Sequence, residues 1–192
     1  MLGAGVYIST SSGSKVQDST FTIDDPSQEA ILIENSPNTI ISENTISIAA
    51  EDSYAIYLDG SSYFQIQNNN IDSDSIYATT SSNGQITSNT LNTSGTSGSP
   101  IFIDTSDYST ISENTIYSYG DTQPEIHLGQ ASSTRVSGNT IKTYDTEAHG
   151  IYLETSTSAN ITTNNITTEG PWAHGIYLDT ESTNNTFEEN TI

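Results

Sequence analysis

The sequence predicts an all-β solenoid, a right-handed parallel β-helix of about eight coils of 25 residues with three short strands in each coil. An apolar triplet, Ile-aromatic-Leu in its clearest form, recurs every 25 residues, with one step of 20. A second motif, an apolar residue followed by xxNx and Ile or Leu, begins ten residues after most triplets. A fixed period of this length indicates stacked repeats. The triplets begin at Val6, Ile31, Ile56, Ile76, Ile101, Ile126, Ile151 and Ile176.

Each coil divides into segments of 10, 5 and 10 residues, and each segment opens with an apolar residue. The apolar runs are short and alternate with polar residues, as in strands. Ser, Thr, Asn, Asp and Gly fill the turns between them. The short coil that starts at Ile56 is expected to keep its three strands and to lose only a loop at Asp72–Ser75. With coils about 4.8 Å apart, eight coils form a rod of roughly 35–40 Å.

Asparagine recurs at one position of the second motif, and we predict that these residues form a ladder along the rod. Asn tolerates the left-handed conformation that a sharp bend requires. Its amide can also bond the same group one coil away. A row of serines, including Ser36 and Ser61, is expected to form a second structural ladder. The asparagines are Asn44, Asn69, Asn89, Asn114, Asn139, Asn164 and Asn190.

Composition excludes several classes of protein. The chain has 24 acidic and three basic residues and a net charge of −21, which argues against nucleic acid or an anionic membrane as partner. There is no cysteine. No apolar stretch is long enough to be inserted in a membrane. One elongated domain over residues 1–192 is expected. Both ends fall inside a coil, so we expect a fragment of a longer chain that adds further coils or domains.

The IxxNxI motif and the segment Gly-Ile-Tyr-Leu-acid, as in Gly150–Glu154 and Gly175–Asp179, resemble the right-handed parallel β-helix repeat family. That family includes NosD-like periplasmic copper-binding domains and the pectate-lyase-like superfamily. The resemblance covers essentially the whole chain. It implies the fold and an extracellular or cell-surface location. It does not imply one activity, because the superfamily holds lyases, hydrolases, epimerases and adhesins.

The middle residue of each triplet points outward, and most of these residues are aromatic. Carboxylates such as Glu34, Asp59 and Asp104 stand two positions after it. Aromatic faces bind the C–H surface of sugars, so a polysaccharide could lie along such a stripe. Alternatively, the rings simply pack on each other across coils. The row reads Tyr7, Leu32, Tyr57, Tyr77, Phe102, His127, Tyr152 and Tyr177.

The third loops of the last three coils bring chemistry-bearing residues toward the first strand. His149 and His174 hold the same repeat position, and a tyrosine follows each of them by three residues. A His–Tyr pair beside carboxylates can abstract a proton next to a uronic carboxylate, so the catalytic candidates are His149, His174, Tyr152 and Tyr177. The candidates for ligand binding are Tyr144, Glu147, Glu154, Trp172 and Asp179.

Metal binding is a further hypothesis. Calcium held by Glu147, Glu154 or Asp179 could neutralise a uronate substrate. The NosD resemblance implies copper or zinc, with His149, His174 and Glu147 as ligands. The turn Asp72–Ser73–Asp74 could also bind Ca²⁺ weakly.

We interpret the chain as a β-helix module of a secreted or cell-surface protein that presents an acidic, aromatic-striped face to polysaccharide or cations. A uronate polysaccharide lyase or epimerase is the enzymatic alternative, and a purely structural stalk is the third hypothesis. The module itself is expected to bind rather than to catalyse.

Overall fold

The structure, a computed structural model, describes residues 4–24, 28–49, 53–72, 75–94, 98–119 and 122–192. The secondary structure of this part consists of short strands that pair in parallel to form three sheets, and no helix that could cross a membrane occurs in it. The first and second sheets have eight strands each and the third has seven. The predicted all-β parallel β-helix with three strands per coil is confirmed. In the last coil, one isolated bridge between Asn165 and Thr191 stands in place of a third strand.

The strands of one sheet come from successive coils. The first sheet consists of β1 (Val6–Ser9), β4 (Ile31–Glu34), β7 (Ile56–Asp59), β10 (Ile76–Thr79), β13 (Ile101–Asp104), β16 (Ile126–Gly129), β19 (Ile151–Glu154) and β22 (Ile176–Leu178). The second consists of β2 (Lys15–Gln17), β5 (Ile40–Ser42), β8 (Gln65–Gln67), β11 (Gln85–Thr87), β14 (Thr110–Ser112), β17 (Arg135–Ser137), β20 (Asn160–Thr162) and β23 (Thr186–Glu188). The third consists of β3 (Thr20–Ile23), β6 (Thr45–Ile48), β9 (Asn70–Asp72), β12 (Thr90–Thr93), β15 (Thr115–Ser118), β18 (Thr140–Thr143) and β21 (Asn165–Thr168).

The core is a stack of equivalent apolar side chains, because the register places each residue against its counterpart in the next coil. The short coil keeps this register, and Ile76 pairs with both Ile56 and Ile101. Ile71 and Ile76 are fully buried, as predicted for a coil that loses only a loop. Ser73 and Asp74, in the turn considered for Ca²⁺, lie outside the described residues.

The asparagine ladder is confirmed as a row, and its amides bond from coil to coil. The backbone N–H and Nδ2 of Asn114 both donate to Oδ1 of Asn139 at 3.0 Å, and Nδ2 also donates to the carbonyl of Ile86 at 2.9 Å. Asn89 binds Asn114 in the same way. Each buried amide therefore satisfies backbone groups that the bend would leave without partners.

The predicted left-handed conformation of the ladder asparagines is wrong, because the residue before each asparagine adopts it. Glu43, Glu113 and Thr163 have φ of 59°, 59° and 57°, whereas the asparagines that follow them are not among the positive-φ residues. The chain turns one residue earlier, and this turn aims the asparagine side chain inward. The amide is thus selected for its hydrogen bonds and not for its backbone freedom.

The serine ladder follows the same rule one turn earlier in each coil. Asn35 has φ of 48°, and the N–H of the following Ser36 donates to Oγ of Ser61 at 3.0 Å. The N–H of Ser61 in turn donates to Oγ of Ser81 at 2.8 Å. Both polar ladders are therefore structural, as the sequence predicted.

Candidate functional site

The structure brings the two candidate histidines together with the two candidate tyrosines at the C-terminal end of the first sheet. The rings of His149 and His174 stack with centroids 5.2 Å apart. Tyr177 lies 4.7 Å from His149 and 5.7 Å from His174, and Tyr152 contacts His149 edge-on at 6.4 Å. His174 is exposed and His149 is half-buried. The predicted convergence of these four side chains on one accessible face is therefore present.

A backbone hydrogen bond fixes the tautomer of His149. The N–H of His174 donates to Nδ1 of His149 at 3.1 Å, so Nδ1 carries the lone pair and the neutral ring carries its proton on Nε2. Burial and the neighbouring His174 lower the pKa of His149, against a smaller opposing effect of Glu147. His149 is therefore neutral near pH 7, and it can donate a hydrogen bond through Nε2. It has no free lone pair with which to accept a proton or to ligate a metal.

The carboxylates of the site are mostly engaged by the protein itself. Oε2 of Glu154 contacts Nε2 of His127 at 2.9 Å. Oδ2 of Asp179 accepts the N–H of Thr155 at 2.9 Å, and Oδ1 accepts the N–H of Ser182, also at 2.9 Å. Burial acts to raise the pKa of Asp179, but these and other hydrogen bonds outweigh it and lower the pKa.

The fit to a metal ion is poor in the described part of the chain. No group of three or more His, Asp or Glu side chains there is arranged to hold one. Glu147 is exposed beside His149, but Nδ1 of His149 already accepts a hydrogen bond. The arrangement does not favour the copper or zinc hypothesis, and it offers calcium no cluster of free oxygens.

Among the residues that the structure describes, Trp172 is the most exposed large hydrophobic one, at 74% of its accessible surface. Its φ of 57° is left-handed, a conformation that is unfavourable for a bulky side chain, and Glu147 occupies the equivalent position one coil earlier with φ of 63°. No aromatic contact involves its ring within the described residues. The loop thus holds an apolar ring in water two residues before His174, in a backbone conformation that costs stability.

Tyr144 does not join this cluster. Its ring stacks on Tyr119 at 4.6 Å, on the side of the third sheet, and Nζ of Lys142 lies 4.6 Å from its centroid. Lys142 also forms an ion pair with Glu169 at 2.8 Å. The hydrogen bond from Lys142 lowers the pKa of Tyr144. Tyr144 directly follows a strand of the third sheet, as Tyr119 does one coil earlier, so it lies apart from the histidines, which come five residues later in the coil.

The outward aromatic row is a continuous stack over most of its length, so ring packing across coils explains it. Two members of the row also contact carboxylates. The hydroxyl of Tyr7 donates a hydrogen bond to Glu34 at 2.6 Å, and Nε2 of His127 contacts Glu154. Because ring faces are occupied by neighbouring rings, this row offers a ligand mainly ring edges. The centroid distances are 5.3 Å for Tyr57–Tyr77, 4.9 Å for Tyr77–Phe102, 4.3 Å for Phe102–His127, 4.8 Å for His127–Tyr152 and 5.3 Å for Tyr152–Tyr177.

Sequence reasoning missed the place of His127, which it used only as one member of the row. In the structure His127 is sandwiched between Phe102 and Tyr152 and faces Glu154. Burial lowers its pKa, although Glu154 opposes this effect. The signal was its position in the middle of a triplet, where the sheet register puts it between two rings.

Residues 54–192, more than half of the chain, match the family described as the right handed beta helix region. The chain belongs to that family. Comparison with curated proteins found no match.

Two solved structures are similar to this chain. The Streptococcus pneumoniae surface protein and adhesin PfbA is similar over 95% of this chain and 68% of its own, with a TM-score of 0.55 and 13% identity. A candidate glycosyl hydrolase from Parabacteroides merdae is similar over 88% of this chain and 81% of its own, with a TM-score of 0.44 and 10% identity. At these identities the likeness concerns the fold alone.

Proposed function

We propose that this β-helix is a module of a secreted or cell-surface protein and that it binds polysaccharide. The binding site is the C-terminal cluster, defined as Glu147, His149, Trp172, His174 and Tyr177. The observation that carries the proposal is Trp172, whose ring is held in solvent by a strained turn next to a stacked histidine pair. An aromatic wall with a few polar groups is what a sugar site requires.

Each member of the cluster has a chemical role toward a sugar. The free face of Trp172 stacks on the C–H surface of a ring. The Nε2–H of His149 donates to a sugar oxygen, and the exposed carboxylate of Glu147 accepts from hydroxyl groups. Similarity to a surface adhesin supports, at the level of the fold, a module that works outside the cell.

The lyase or epimerase hypothesis is less well supported. A base must accept a proton, but Nδ1 of His149 is occupied, and burial together with Glu154 raises the pKa of Tyr152, so its phenolate is scarce at neutral pH. His174 and Tyr177 are then the remaining candidate bases. A calcium ion on Glu147, Glu154 and Asp179 stays a prediction, and it would compete with the hydrogen bonds that Glu154 and Asp179 already make.

The sole tryptophan gives a site-specific test. Neutral oligosaccharides, such as glucans, xylans and mannans of four to six units (about the length that a few coils span), are titrated while emission is excited selectively at Trp172. We expect a blue shift with the bound sugar. Trp172→Ala should weaken binding by about tenfold or more, measured by calorimetry, as for an aromatic hot spot.

The matched control is Tyr63→Ala, because Tyr63 is also an exposed aromatic residue, at 58%, with a left-handed φ of 62°. This variant should bind as the parent chain does. If no oligosaccharide changes the emission of Trp172, or if both variants lose affinity equally, the proposed site is refuted. Appearance of unsaturated uronate absorbance with acidic polysaccharides would replace the binding function with the lyase.

A further inference from the structure

The strands of the second sheet differ in charge from those of the first sheet. The two outward rows of the second sheet consist mainly of Gln, Thr, Ser and Asn, and its strands contain a single carboxylate, Glu188 in β23. Two of the three basic residues of the chain, Lys15 and Arg135, lie in the first of these rows. On the first sheet, by contrast, carboxylates recur along the outer face: Glu34, Asp59, Asp104, Glu154 and Asp179. The strands of the second sheet are therefore poor in acidic residues, although Asp18, Glu43, Glu113 and Glu189 directly follow four of them.

Arg135 is a charged group without a charged partner. The salt bridges within the described residues are His127–Glu154 and Lys142–Glu169, and neither involves Arg135. Its Nε donates to Oγ of Ser137 at 3.3 Å, which directs the guanidinium along the strand and leaves its other N–H groups available. An arginine with no carboxylate partner in a chain of net charge −21 is unexpected if its role is structural.

A groove lies beside this arginine. Its volume is about 410 Å³, within the range of ligand sites. Gly138 forms a gap in it, because the equivalent positions in neighbouring coils carry the side chains of Glu113 and Thr163. The groove is lined by Thr110, Ser112, Glu113, Arg135, Ser137, Gly138 and Thr163.

The geometry points to a binding site for an acidic sugar unit, a ring that carries a carboxylate, in the groove between Arg135 and Glu113. The guanidinium fork matches a carboxylate with two parallel hydrogen bonds. Glu113, which accepts a hydrogen bond from Ser88 at 3.3 Å on its far side, accepts ring hydroxyls, and the Ser and Thr hydroxyls bind the remaining oxygens. A ligand with one negative charge and several hydroxyl donors satisfies both charged walls. A compact inorganic anion such as phosphate is attracted by Arg135 and repelled by Glu113.

A protein partner fits this face less well. The cores of protein interfaces are rich in aromatic and apolar side chains. The outward rows of the second sheet contain one large apolar residue, Ile40. Self-association through the acidic first sheet of a second copy is the outcome to be excluded.

This site stands independently of the C-terminal cluster, so the two can fail separately. The test uses the full chain and a glucuronic acid oligosaccharide, with a neutral glucose oligosaccharide of equal length and inorganic phosphate as comparison probes. Binding is followed by chemical shift changes of backbone amides. With the acidic sugar we expect chemical shift changes at the amides of Ser137, Gly138 and Thr163. Occupation of this groove should leave the emission of Trp172 unchanged.

Three variants test how the groove binds the acidic sugar. Arg135→Gln should lower affinity for the acidic sugar by about tenfold or more, the usual effect of losing a charge-assisted pair. Lys15→Gln is the matched control, because Lys15 occupies the same row five coils earlier and carries the same charge. Gly138→Asn should block the groove without altering charge, and its fold should be retained because Asn68 stands at the equivalent position with φ of 56°.

The results decide in either direction. Loss of binding in Arg135→Gln and Gly138→Asn with retention in Lys15→Gln supports the site. Equal effects of the two charge variants would show only long-range electrostatics and would overturn it. Equal chemical shift changes with phosphate or with the neutral sugar would also overturn it, because they would show only adventitious binding in the groove. Concentration-dependent sedimentation that is abolished by Arg135→Gln would replace the sugar with a second copy of the chain.

Discussion

Gly84 and Phe64 share one inward position in neighbouring coils, and replacing the glycine should destabilise the rod. A Cβ at Gly84 would lie 2.1 Å from Cζ, 2.2 Å from Cε1 and 2.6 Å from Cε2 of Phe64. Ordinary carbon contacts begin near 3.5 Å, so the ring would have to move by more than about 1.3 Å. Phe64 is fully buried, so its ring cannot shift without disturbing the core around it. Overpacking costs roughly 1–3 kcal/mol, and we expect Gly84→Ala to fall in the upper half of that range.

The clash should disappear in the background Phe64→Leu. Leucine lacks the three ring atoms that a Cβ at Gly84 would meet. Since φ of Gly84 is not positive, alanine is compatible with the backbone, and it reduces the entropy of the unfolded chain by about 0.4–1 kcal/mol. Gly84→Ala should therefore be neutral or stabilising in the leucine background, with a coupling free energy of about 2–4 kcal/mol between the two positions.

Equilibrium unfolding in guanidinium chloride, followed by far-UV circular dichroism, measures all four members of this cycle. A loss of 2–3 kcal/mol corresponds to a midpoint lower by about half a molar. A midpoint for Gly84→Ala within error of the parent chain would refute the packing argument. Additive effects of the two substitutions would show that the alanine acts elsewhere.

Three further perturbations test other parts of the structure. Thr134→Val should raise the free energy of unfolding by about 1 kcal/mol, because the buried Oγ1 has no hydrogen-bond partner. A lower free energy of unfolding would mean that this hydroxyl is hydrogen-bonded. In urea melts, Asn114→Leu should lower the free energy of unfolding by about 3–5 kcal/mol, because its ladder hydrogen bonds are lost. Glu43→Asn should be neutral or stabilising, because asparagine tolerates the left-handed φ of that position. The opposite order of stabilities would mean that the asparagines are needed for the bend itself. The pKa of His149 is lowered in the folded chain, so the unfolded state binds its proton first and the stability of the last coils should fall as pH drops below about 6.5; NMR titration of the ring with a midpoint at or above that value would contradict this.

The period of the sequence predicted the fold, the register and the short coil because every coil must repeat the same inward contacts. Ile56, Ile76 and Ile101 pair as their spacing requires. The left-handed bend escaped prediction, since residues as different as Glu43 and Thr163 adopt it and no residue type marks it. There the tertiary path overrides local preference.

The candidate site was predicted only in part. The histidines and Tyr177 met because they repeat in register with paired strands. Tyr144 lies on another side, because it directly follows a strand of the third sheet and stacks on Tyr119, its counterpart one coil earlier. The groove beside Arg135 depends on a missing side chain at Gly138, and a gap becomes visible only once neighbouring coils are stacked.

The short coil has a consequence for how such a chain can change. Its third segment shrinks from ten residues to five while the strands on both sides keep their pairing. Halving a loop changes its closure entropy by only about 0.6 kcal/mol. The third side of the rod can therefore gain or lose residues at little cost, while the two polar ladders hold the other corners fixed. Each coil therefore has one segment whose length and sequence can vary while its strands stay paired. Trp172 lies in such a segment, so binding specificity can change there without a change of fold.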